Sequence, residues 1–77
     1  MSTKHIHNIS LAEYRNALRN LGCNFVGVTG GHEKWTRKDL SRPIIFQTHI
    51  DPIPERIIAS NNRTLGITKK KFLNVLP

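Results

Sequence analysis

The spacing of apolar residues along the 77-residue chain changes several times, and each change marks an element. Leu11, Tyr14, Leu18 and Leu21 recur at intervals of three and four, which is one face of a helix. Ser10-Leu11-Ala12-Glu13 has the S-x-x-E form of a capping box, and Gly22 follows as a C′ stop, so the pattern predicts a first helix from about Leu11 to Leu21. Asn24 to Thr29 (NFVGVT) is short and rich in β-formers, and Gly30-Gly31 supplies residues that tolerate positive φ in a hairpin turn. His32 to Arg37 alternates as a second strand, Lys38 to Arg42 reads as a polar loop, and Pro43 to His49 reads as a third strand. Asp51-Pro52-Ile53-Pro54-Glu55 resembles a helix entrance with both prolines in the first turn. That helix is predicted to reach Thr64 or Leu65, with Ile53, Ile57, Ile58 and Leu65 inward. Gly66 ends it, and Ile67 makes the apolar contact of a Schellman cap. Thr68 then caps a short last helix whose apolar side is Phe72, Leu73 and Leu76.

The predicted order is α-β-β-β-α-α, an α+β fold in which a three-stranded antiparallel meander carries helices on one face and leaves the other open. Residues 1–9 read as a polar arm and residues 10–77 as one domain; His5 and His7 in the arm lack acidic or thiol partners for a metal. Alternation puts Glu33, Trp35 and Arg37 on one face of the second strand and His32, Lys34 and Thr36 on the other. In the third strand Phe46 shares its parity with Ile44 and Thr48, so an inward Phe46 leaves Gln47 and His49 on the open face. A hairpin centred between Leu40 and Ser41 sets His32 opposite His49, and one centred on Leu40 sets it opposite Thr48.

Charge narrows the partner. Twelve Lys and Arg against five Asp and Glu give a net charge of +7, and the pI is near 10.4. So dense a positive field on a small domain points to nucleic acid. The basic residues form no single amphipathic stripe that would favour a membrane surface. Cys23 is the only cysteine, which suits a reducing compartment, and its apolar neighbours mark it as a core residue. With no apolar h-region near the start and no run long enough to span a bilayer, the expected location is cytoplasmic.

The candidate chemistry centres on His32. Cleaving RNA without a metal requires a base for the 2′-hydroxyl and an acid for the leaving 5′-oxygen, and histidine serves either role near neutral pH. Gly30 and Gly31 allow a phosphodiester to approach the backbone, while Lys34 and Arg37 offer positive charge to the developing phosphorane. Lys34 and His49 are the candidate supporting groups. The plain alternatives are an exposed strand residue for His32 and a locally bonded strand-end residue for His49. Lys38, Arg42 and the run Lys69-Lys70-Lys71 add candidate phosphate contacts, although cations in the first turn of a helix oppose its dipole. There is no H-E-x-x-H, CxxC or nucleophile-elbow motif, and no metal or organic cofactor is expected.

The run Leu18 to Arg37 resembles the first half of HicA toxins, which have a helix ending in Gly, a short strand, a G-S-H turn and an aromatic residue three positions on. Gly22, Gly30, His32 and Trp35 occupy those places here. A strand ending in His49, a helix, Gly66-Ile67 and a terminal helix with Phe72 match the second half, so the resemblance covers roughly residues 10 to 76. It implies a fold similar to the double-stranded-RNA-binding domain and an mRNA interferase activity, with His32 as catalytic residue and a HicB-like antitoxin as partner. Two positions depart from the family: Gly31 replaces the serine of the turn, and Gln47-Thr48 precede His49 where the family has P-x-H. A non-catalytic RNA-binding module on the same scaffold is the alternative, and a domain that binds an acidic protein is a third reading.

Overall fold

The computed structural model describes residues 8–77. His5, His7 and most of the expected arm lie outside the described residues. The elements are α1 (Leu11–Asn20), β1 (Asn24–Thr29), β2 (His32–Thr36), β3 (Ile44–Gln47), α2 (Glu55–Leu65) and α3 (Lys69–Asn74). This is the expected α+β order, with the strands in one antiparallel sheet of order β1-β2-β3.

Local chemistry fixes the ends of α1. Ser10 Oγ accepts from the Glu13 N–H at 3.0 Å, and the Glu13 carboxylate accepts from the Ser10 N–H at 2.9 Å, the reciprocal pair of a capping box. At the other end Gly22 takes φ +84°, and the Cys23 N–H reaches back to the Leu18 carbonyl. The end of α2 repeats this geometry: Gly66 is left-handed and the Ile67 N–H bonds the Asn62 carbonyl. Thr68 caps α3 by accepting from the Lys71 N–H.

Four sequence expectations need correction. Ile9, assigned to the arm, is buried, and its carbonyl accepts from the Ile53 N–H at 2.9 Å. That bond ties Ile53 to the segment before α1 and outside α2, so only Pro54 stands at the helix entrance, as N-cap, and Pro52 lies outside the first turn. The third strand stops at Gln47, with Thr48 and His49 in the turn that follows, and Leu40 in the expected polar loop packs partly against the core.

Trp35, Tyr14, Phe72, Leu18, Ile44 and Ile58 form the centre of the core. Tyr14 on α1 meets Phe46 edge-on, with ring centroids 4.9 Å apart, and also contacts Phe72 on α3. Residues of all three helices, Leu18 of α1, Ile58 of α2 and Phe72 of α3, thus join Trp35, Ile44 and Phe46 in one core on one face of the sheet. Helix α2 shares that core through Ile58 and Leu65 and also packs against β3, the edge strand opposite β1. There Asn61 Nδ2 donates to both the Tyr14 hydroxyl and the Ile45 carbonyl. The bond to Ile45 satisfies one backbone carbonyl of the edge strand. The opposite edge, β1, stays uncovered, and Phe25, Val26 and Val28 on it are half exposed.

Candidate active site and nucleic-acid interface

Two consecutive positive φ values, +58° at Gly30 and +79° at Gly31, build the tight turn that begins β2. His32 is the first residue after it. Strand alternation buries Glu33 and Trp35 and turns His32 and Lys34 to the open face, as their parity predicted. The His32 Nδ1 lies 3.2 Å from the Gly30 carbonyl oxygen. A carbonyl can only accept, so this bond requires the proton on Nδ1 and leaves Nε2 of the neutral ring with a free lone pair. The side chain is exposed, so that lone pair is accessible from solvent.

The partner of His32 across the ladder is Gln47, and neither His49 nor Thr48 stands there. Both expected registers are therefore corrected, and the hairpin is centred between Asp39 and Leu40. The core explains the choice. This register sets Ile44 against Trp35 and Phe46 against Glu33, all on the covered face. A shift by one residue would turn Phe46 out to solvent. The early turn is fixed by the Leu40 N–H bonding the Arg37 carbonyl, and by Arg37 pairing with Asp39 at 2.6 Å.

His49 is drawn to the same end of the sheet by another route. Beyond β3 the Thr48 N–H bonds the Gly31 carbonyl at 2.9 Å, and the His49 ring passes over Gly31. A Cβ on Gly31 would lie 3.8 Å from His49 Cδ2, an ordinary van der Waals contact. The two exposed histidines thus flank the glycine turn, His32 from the head of β2 and His49 from the turn after β3.

Beneath this turn lies a buried carboxylate. Glu33 is 2% exposed and accepts from Arg15 with two nitrogens, from Trp35 Nε1 at 2.7 Å and from Thr48 Oγ1 at 3.0 Å. Burial is the largest single influence on this carboxyl and disfavours its charge. The bonds from Arg15, Trp35 and Thr48 together outweigh it and hold Glu33 below the usual glutamate range. The network ties α1, β2 and the Thr48 turn together behind His32. Elsewhere in the core, burial pushes the Cys23 thiol up, which agrees with its reading as a core residue.

The basic candidates separate into groups. Lys34 is exposed on the same face as His32, between Gly27 and Ile45 on the neighbouring strands. Arg37, expected to serve phosphate, is committed elsewhere: it pairs with Asp39, and its NH1 donates at 2.6 Å to the Leu21 carbonyl at the end of α1. Lys38 and Arg42 are exposed in the loop before β3. Lys69, Lys70 and Lys71 are exposed on α3, whose Phe72 packs towards Tyr14 on the side of the sheet away from His32.

Sequence reading missed a groove. On the open side of β3 a concavity of about 290 Å³ is lined by His32, Ile45, Gln47, Pro54, Arg56 and Ile57, among others. It adjoins a second, of about 410 Å³, which shares Ile45 and Ile57 and reaches Arg42, Ser60 and Thr64. A polar end with Arg42 and Arg63 completes the trough. The spacing of Arg56, Ser60 and Arg63 puts them on one face of a helix, and that periodicity is the signal available in sequence. Among the described residues no group of three or more His, Cys, Asp or Glu side chains is placed to hold a metal ion. No helix among them is long and apolar enough to cross a membrane.

Comparison of the chain with protein-family models, with curated proteins and with solved structures finds no match.

Proposed function

We propose that this chain is a HicA-like endoribonuclease, the toxin of a type II toxin–antitoxin pair, with a fold of the double-stranded-RNA-binding kind and mRNA as substrate. The observation that carries the reading is His32: exposed at the head of β2, its Nδ1 on the Gly30 carbonyl and its Nε2 open, on the rim of a groove that also holds Arg56. In this reading Nε2 takes the proton of a 2′-hydroxyl. The 2′-oxygen then bonds the adjacent phosphorus as the bond to the 5′-oxygen breaks, leaving a 2′,3′-cyclic phosphate and a 5′-hydroxyl. Lys34 and Arg56 offer charge to the phosphorane, and His49 beside Gly31 is the candidate proton donor to the leaving oxygen. A net charge of +7 favours the polyanion, and the uncovered apolar edge of β1 supports a protein partner, expected to be a HicB-like antitoxin in the cytoplasm.

One observation favours the non-catalytic alternative: the carboxylate next to His32 in sequence, Glu33, faces the core, so a backbone carbonyl and no acid orients the imidazole. Incubating the pure protein with mRNA in EDTA, beside His32→Ala, decides between them. Cleavage by the parent alone, leaving cyclic phosphate ends, supports the nuclease. Salt-sensitive binding without cleavage by either protein supports the binding module.

A further inference from the structure

The groove between β3 and α2 has features that a duplex cannot use. Its middle is apolar: Ile45, 40% exposed on the open sheet face, meets Ile57 of α2, and the two are shared by the adjoining concavities. Its ends are cationic, with Arg56 beside His32 and Gln47 at one end and Arg42 and Arg63 at the other. None of these five groups on the rim is buried, and neither of the two ion pairs found among the described residues engages any of the three arginines. Arg56 and Arg63 are seven residues apart, about 10 Å along the helix axis, which is room for two or three nucleotides at roughly 3.4 Å per stacked step.

An A-form duplex presents phosphates and 2′-hydroxyls and keeps its base faces stacked, so an isoleucine floor offers it nothing. A single strand presents both backbone charge and unstacked base faces, and apolar floors between cationic rims suit it. We infer that the β3–α2 groove is the track of a single-stranded RNA segment entering the His32 site, with a nucleobase seated on Ile45 and Ile57, Gln47 at its polar edge, and Arg56 on the adjoining phosphate. This rests on the reading of His32 as the cleaving group and adds to it the strandedness of the substrate and a specificity subsite. Gln47 carries both a donor and an acceptor on its amide, so it is the side chain here that can discriminate between bases.

The test uses a short single-stranded oligoribonucleotide with 2′-O-methyl groups, which cannot be cleaved, and the same sequence as a duplex. Isoleucine-methyl NMR of the full chain is expected to shift Ile45 and Ile57 on titration with the single strand, with weaker binding of the duplex. Arg56→Ala, an exposed position, is expected to raise Kd about ten-fold, to flatten the salt dependence by about 0.7 in log–log slope, and to be rescued in part by Arg56→Lys. Methyl shifts absent from Ile45 and Ile57, equal binding of the duplex, or an unchanged Kd for Arg56→Ala overturns the assignment. The two claims fail separately. Cleavage dependent on His32 with silent groove methyls leaves the nuclease and removes the track; moving methyls with no cleavage of natural RNA leaves the track and removes the nuclease.

Discussion

Arg15 on α1 grips the buried Glu33 carboxylate of β2 with two nitrogens, NH2 at 2.8 Å and Nε at 3.0 Å. The fork also lies 3.4 Å from Thr48 Oγ1, so one guanidinium ties the first helix to both sides of the turn that carries the histidines. Removing the carboxylate strands Trp35 Nε1 and an Arg charge. Glu33→Ala is therefore expected to cost about 2–4 kcal/mol, a large share of the roughly 4–12 kcal/mol available to a chain of this length. Urea denaturation measures it, and a loss below about 1 kcal/mol would show that the network adds little.

The same carboxylate sets an acid limit. Its folded-state pKa lies below the ordinary value of about 4.3, so its contribution is fully present above that value and is lost as pH falls through the lowered one. Stability of the parent is expected to fall more steeply in acid than that of Glu33→Gln. Urea midpoints measured from about pH 6 to about pH 3 should converge for the two proteins; parallel curves would contradict the assignment.

Gly31 is required by its backbone. At φ +79° a side chain is strained by about 1–2 kcal/mol even though a Cβ would make only ordinary contact with His49. Gly31→Ser, which restores the serine of the resembled turn, is expected to lower Tm by about 4–8 °C per kcal/mol lost. An unchanged Tm would mean that the turn relaxes out of this geometry.

Arg37 is expected to act on stability and not on RNA. Its guanidinium holds the Leu21 carbonyl and Asp39, so Arg37→Ala should cost about 1–2 kcal/mol while leaving RNA affinity near that of the parent. Thermal melts and filter binding on the same preparation read both quantities. A loss of affinity without a loss of stability would return Arg37 to the nucleic-acid surface.

The capping box at α1 gives a smaller, local effect. Ser10→Ala removes the acceptor for the Glu13 N–H and is expected to cost about 1 kcal/mol by urea denaturation. No measurable change would mean that water caps the helix equally well.

Much of the fold was legible because its signals are local. The Ser10–Glu13 box, the glycines at 22, 30, 31 and 66, and the Thr68 cap each act within a few residues, so both ends of α1, the ends of β1 and α2 and the start of α3 could be read from the chain. The side of His32 was legible too, since strand alternation needs only one buried neighbour, Trp35, to fix it. Pro52 misled because its exclusion from α2 depends on Ile53 bonding Ile9, a contact spanning more than forty residues.

The sequence by itself determined the element order, the glycine turn and the exposure of His32, all consequences of backbone preference and short-range periodicity. Only the tertiary structure decided what stands beside that histidine. Register is set by which pairs of side chains the core can bury together, and that choice put Gln47 opposite His32 and His49 over Gly31. The packing of α2 along the β3 edge brought Arg56 and Ile57 to the same place from a distant stretch of chain. Folding also brought Arg37 to the Leu21 carbonyl and Asp39, a tie between helix end and loop that no short-range pattern in the chain displays.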